Sequence, residues 1–126
     1  MAAPSFEIPA RPRRRYPHDG GVEYDGETVF TLTPDPARET GALDRLVERV
    51  LAAEPYTYGD GFELPMPLYL VNDGETGDVF RVAIRDGTVE LHVLPATDPE
   101  GLRAFYDRLA AVGDVEWAVE CRVDRP

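Results

Sequence analysis

The chain has 126 residues, enough for one domain with a real core, and carries a formal charge of −11 from 24 acidic against 13 basic residues. Every basic residue is Arg; Lys and Gln are absent, Ser occurs only at Ser5 and Asn only at Asn72. That composition leaves almost nothing for Lys- or Ser-based nucleophilic chemistry, permits no internal disulfide because Cys121 is alone, and contains no apolar run long enough to cross a membrane.

Residues 1–21 carry four prolines, the run Arg13-Arg14-Arg15 and Gly20-Gly21, with no periodicity beyond Phe6 and Ile8. They read as an N-terminal arm, extended or disordered, and residues 22–126 as a single α+β domain. Four Arg and one Glu give residues 1–18 a local charge of +3, opposite in sign to the body, so the arm can lie back along its own acidic surface. Nucleic acid is not an expected partner, because a few phosphate contacts weaken steeply with salt and the body repels a polyanion. The polar Tyr16-Pro17-His18-Asp19 after the arginines argues against a secretory address and for a cytoplasmic protein.

Val22 to Leu32, split by Asp25-Gly26-Glu27, reads as a short hairpin or as a strand preceded by a turn. In Thr33-Pro34-Asp35-Pro36, Asp35 is placed to accept orphan amides and Pro36 to occupy a first helical position, so a helix start is predicted there, with Thr40 as the alternative cap. Leu43, Leu46, Val47, Val50 and Leu51 recur as one apolar stripe, and Glu54-Pro55 ends it. On that helix Asp44 with Glu48 and Arg45 with Arg49 are like charges one turn apart, each costing about 0.2–0.5 kcal/mol in dilute solution. Residues 55–67 mix glycines, prolines and aromatics without periodicity and read as a packed irregular loop, and Leu68 to Asn72 as an interior strand.

Asp78 to Leu94 is the clearest stretch. Phe80, Val82 and Ile84 alternate before Asp86-Gly87, and Val89, Leu91 and Val93 alternate after it, which predicts a hairpin on a type I′ turn. A two-residue turn sets Arg85 opposite Thr88, Ala83 opposite Glu90 and Arg81 opposite His92. Asp98-Pro99 then opens a second helix, with Leu102, Phe105, Tyr106, Leu109 and Val112 inward and Gly113 as its stop. Val115, Trp117, Val119, Cys121 and Val123 alternate as a last strand whose apolar set is assigned to the core. The order β-α-β-β-β-α-β predicts an α+β two-layer sandwich: a mainly antiparallel five-stranded sheet with two helices packed on one face.

No catalytic constellation stands out: Cys121 is expected as a buried structural thiol, and no catalytic residue, metal site or cofactor is assigned. Asp73-Gly74-Glu75-Thr76-Gly77-Asp78 holds three carboxylates without the ligand order of a calcium loop and reads as a turn. Two surfaces remain. Tyr56, Tyr58, Phe62 and Met66 are candidates for an interface or ligand loop, because aromatic residues with polar handles suit both roles. Arg81, Arg85 and His92 share the polar face of the hairpin and are candidates for an anion or interface patch, or for a solvated cross-strand charge ladder.

A surface of carboxylates and guanidinium groups suits molar salt, where the Debye length falls to about 3 Å and repulsion between carboxylates is screened. A GC-rich genome explains missing Lys but not excess acid. In composition the chain resembles the small, acidic, lysine-poor proteins of unknown function of halophilic archaea, and the resemblance implies a cytoplasmic protein with salt-dependent folding. The function expected from all this is a non-enzymatic interaction module, self-associating as a homo-oligomer; the alternative is a small-molecule-binding protein or enzyme with a pocket near residues 55–67.

Overall fold

The computed structural model describes residues 5–16, 20–21, 23–59, 68–113 and 115–124. In chain order these form β1 (Arg13–Arg15), β2 (Glu23–Asp25), β3 (Glu27–Asp35), α1 (Thr40–Leu51), β4 (Tyr56–Gly59), β5 (Leu68–Asp73), β6 (Val79–Arg85), β7 (Thr88–His92), α2 (Pro99–Val112) and β8 (Glu116–Asp124). Six strands make one sheet in the order β4-β5-β6-β7-β3-β8, antiparallel throughout, and β1 pairs with β2 separately. The α+β class stands, with a sixth strand where five were expected. The addition is β4, drawn out of the supposed loop because Tyr56 to Gly59 find ladder partners in Leu70 to Asp73.

The hairpin has the register its turn dictates, Arg85 facing Thr88, Ala83 facing Glu90 and Arg81 facing His92, with Asp86 at φ 52° and Gly87 at φ 73°. One face of the sheet then carries Tyr69, Val71, Phe80, Val82, Ile84, Val89, Leu91, Phe30 and Leu32 in cross-strand rows. Both helices join that face, α1 through Leu43, Val47, Val50 and Leu51 and α2 through Leu102, Phe105 and Leu109, in one buried cluster. Each large side chain so removed from water contributes roughly 1.5–3 kcal/mol, which is where the two layers get their cohesion.

Helix α1 begins at Thr40, later than Asp35-Pro36 suggests. The reason is tertiary: β8 holds β3 in the sheet as far as Asp35, which faces Glu116, so the local start signal is overridden. The Thr40 hydroxyl accepts the Gly87 amide at 3.1 Å, tying the helix start to the hairpin turn. Helix α2 does start at Pro99 after Asp98.

The N-terminal segment enters the core. Phe6 is buried, its ring 5.2 Å from Phe30 and 5.5 Å from Tyr106, and the Thr28 hydroxyl donates to the Ala10 carbonyl at 2.6 Å. Arg11 donates to the carbonyls of Thr97 and Pro95, just ahead of α2.

One expectation fails on β8. Cys121 is exposed rather than buried, and Trp117, Val119 and Val123 are only half-buried. Alternation tells which side chains share a face; it does not tell how fully that face is covered, and β8 sits at the margin of the sheet.

Candidate functional site: the two sheet edges

A six-stranded open sheet has two margins, and residues with functional potential gather at both. At the β4 margin Tyr56 is buried and its hydroxyl accepts a hydrogen bond from Arg108 of α2 at 2.7 Å, while the guanidinium lies 5.1 Å from the ring centre. Arg108 also meets Glu75 at 3.1 Å and buried Asp73 at 3.7 Å. Burial pushes the Tyr56 hydroxyl above its ordinary value against the opposing pull of Arg108, and the bond to Tyr56 raises Arg108. The result is a clamp between α2, β4 and the turn after β5.

Next to it, Tyr58 is 40% exposed and packs edge-on against Tyr69, ring centres 5.7 Å apart. The Tyr69 hydroxyl lies 2.5 Å from Asp44 and 3.1 Å from Glu48 and donates its one proton between them. Burial, then the Asp44 bond, raise its pKa. The like-charged pair that looked unfavourable on α1 therefore shares a donor. Phe62 and Met66 lie outside the described residues, so of the loop candidates the structure places Tyr56 in the clamp and Tyr58 at the surface.

The turn between β5 and β6 hides two carboxylates. Asp73 accepts the amides of Glu75 and Thr76 at 2.9 and 3.3 Å. Asp78 accepts those of Val79 and Asp98, each at 2.8 Å, so a residue of the β5–β6 turn satisfies the amide that opens α2 while the Asp98 side chain makes no cap bond. A Cβ on Gly101 would lie 2.0 Å from the second Asp78 oxygen, which explains glycine in the first turn of a helix. Burial raises Asp78 above its ordinary value. Sequence reading missed this pairing; the unexplained Gly101 just inside a helix start was the signal available. Among the described residues no group of three or more ligand side chains is placed to hold a metal ion.

On the polar face, Arg85 and His92 both turn toward Glu90, at 3.9 and 3.1 Å, and Glu90 is buried between them. The Arg85 charge and the His92 ring thus both find a partner within the chain. Arg81 and His92 line a groove of about 170 Å³ with Pro12, Gly26 and Glu27. A second groove of about 170 Å³ opens beside α1 at Leu46, Gly113 and Val115, and a third of about 280 Å³ lies between the helix ends at Val50, Arg108 and Val112. None of these three is lined by Tyr56 or Tyr58.

The opposite margin is β8. It is nine residues long, contains neither Pro, Gly nor Lys, and among the described residues pairs only with β3. Trp117, Val119, Cys121 and Val123 form a stripe along it on the helix-bearing side; Glu116, Glu120, Arg122 and Asp124 alternate on the other, with Arg122 3.1 Å from Glu27. Partial burial raises the Cys121 thiol. A strand of this length with an open ladder and a half-exposed apolar stripe is a template for another strand. No family model matches the chain, and no match was found among curated proteins or solved structures.

Proposed function

We propose that the chain is a non-enzymatic protein-interaction module that self-associates in a salt-loaded cytoplasm. The observation that carries this reading is β8: nine residues of edge strand with a partly buried apolar stripe, Trp117, Val119 and Val123, beside exposed Cys121. Natural sheets usually blunt such an edge with Pro, Lys, a bulge or brevity. None of these four is used in β8, whose protection is limited to the charges of Glu116, Glu120, Arg122 and Asp124 on the face away from the helices.

The remaining surfaces support the same reading. The Arg85–His92 patch is matched by Glu90 and the Tyr56 hydroxyl by Arg108, so both serve the fold. The described grooves, at about 170 to 280 Å³, fall short of the roughly 300–1,000 Å³ typical of ligand sites. The formal charge of −11 opposes association of two copies in dilute buffer, and screening removes that opposition as the Debye length shrinks from about 8 Å to about 3 Å. Association therefore strengthens with salt.

Light scattering on the purified chain across a KCl series tests this. The expected result is a mass near the 14.0 kDa of a single chain in dilute buffer, rising to twice that in molar KCl. A single-chain mass at every salt and protein concentration overturns the proposal.

A further inference from the structure

Resting on that reading, we propose a specific joint: two copies add β8 to β8 in antiparallel fashion about a twofold axis at Val119, making one continuous sheet with both helix layers on the same side. The geometry of an antiparallel joint narrows the choice sharply. Directly opposed residues share a face, so the twofold stands perpendicular to the sheet and one residue of β8 faces its own copy. Each central residue then implies a full set of opposed pairs.

Charge removes most of them. Centring on Ala118 sets Glu116 against Glu120 of the second copy, twice. Centring on Glu120 sets Glu120 against itself and Glu116 against Asp124, and centring on Arg122 sets Arg122 against itself and Glu120 against Asp124. Like charges directly opposed are destabilising. The centres that avoid them within β8 lie on the apolar stripe, and of these Val119 and Cys121 engage most of the strand. A Cys121 centre opposes Glu120 with Arg122 and Val119 with Val123, but within β8 it matches only Ala118 to Asp124 and leaves Trp117 beyond the last described pair. A Val119 centre opposes Glu116 with Arg122 twice, Trp117 with Cys121 twice, Val115 with Val123 twice and Val119 with its own copy. Within β8 it matches Glu116 to Arg122, as many residues as the Cys121 centre, and unlike that centre it covers the partly buried Trp117, the largest apolar side chain of the stripe.

In this joint Arg122, already 3.1 Å from Glu27 in its own chain, lies between two carboxylates, its own Glu27 and Glu116 of the second copy. Trp117 and Val119 already pack against the core, and the second copy extends that core by covering the rest of the stripe. The small cost of covering it is the approach of two acidic bodies, which is why the joint needs salt.

Thiol capture reads the register. In the Val119 register the two copies of residue 119 face each other at about 4.5–5.5 Å between Cα atoms, while the two Cys121 are displaced by four residues, about 13 Å along the strands. A short bis-methanethiosulfonate reagent in molar KCl is expected to convert the Cys121→Ser/Val119→Cys variant to a covalent dimer and to capture the wild-type chain, through Cys121, with about tenfold lower yield. Capture of the wild type as efficient as that of the variant overturns the Val119 register. Capture of neither, with a two-chain mass by light scattering, overturns the β8 joint and leaves self-association standing. A single-chain mass for both proteins removes the underlying reading as well.

Charge exchange gives an arm that leaves residue 119 intact, run at the lowest KCl supporting the dimer. Arg122→Glu should weaken association about tenfold and the Glu116→Arg/Arg122→Glu double variant should restore it. Restoration by Glu120→Arg/Arg122→Glu instead would overturn the Val119 register.

Discussion

The two margins of the sheet are built on opposite principles. At β4 the strand is four residues long and its two tyrosines are tied to the chain's own structure, Tyr56 to Arg108 and Phe105 and the exposed Tyr58 to Tyr69. At β8 the strand is nine residues long, makes its only described ladder on one side, and leaves Val119 half-exposed. The lesson is that a terminal strand can be kept short with its tyrosines tied inward, or run long enough to take an external strand. Changes at the first margin should therefore lower stability without touching association, and changes at the second should do the reverse.

The largest expected effect belongs to the closed side. Gly101→Ala places a methyl group 2.0 Å from the Asp78 carboxylate, so helix or turn must move, and a loss of about 3 kcal/mol is expected in urea unfolding. A loss below about 0.5 kcal/mol would show that this contact yields freely. Next comes Arg108→Ala, which removes the donor to Tyr56, the guanidinium over its ring and the partner of Glu75 and buried Asp73. A loss of about 2 kcal/mol is expected, with association at high salt unchanged.

Asp78 supplies a smaller, pH-dependent term. Its folded pKa is raised above the ordinary 3.8, so the native state holds this proton more tightly than the unfolded chain does. The contribution to stability is complete below the ordinary value and is lost as pH rises through the raised folded value. Asp78→Asn keeps an oxygen for the amides of Val79 and Asp98 without a buried charge, and should flatten that acid-side slope in urea unfolding measured at successive pH values. An unchanged slope would place the titration elsewhere.

The smallest effect on stability, about 1 kcal/mol, is expected at the open margin for Val119→Lys, whose partly buried side chain packs at the border of the core. The same substitution should hold the protein at its single-chain mass in molar KCl. A large loss of stability with association intact would invert the comparison.

These margins were unequally visible in the sequence. The hairpin was legible because Asp86-Gly87 fixes a turn, the turn fixes a register, and alternation fixes a face. Helix α2 was legible because Asp98-Pro99 comes after β7 has ended at His92, where no ladder overrides the local signal. The same signal at Asp35-Pro36 misled, since β8 holds β3 beyond it. Residues Tyr56 to Gly59 lack a strand pattern of their own and acquire one only from β5. The exposure of Cys121 could not be read, because strand order is a property of distant pairings and a marginal strand alternates just as an interior one does.

The most direct test of the contrast is amide hydrogen exchange in molar KCl, comparing dilute with concentrated protein. The account predicts that amides of Glu116–Asp124 slow on concentration while those of Tyr56–Gly59 keep their rates. Protection arising at Tyr56–Gly59, or at neither margin while the mass doubles, would contradict it.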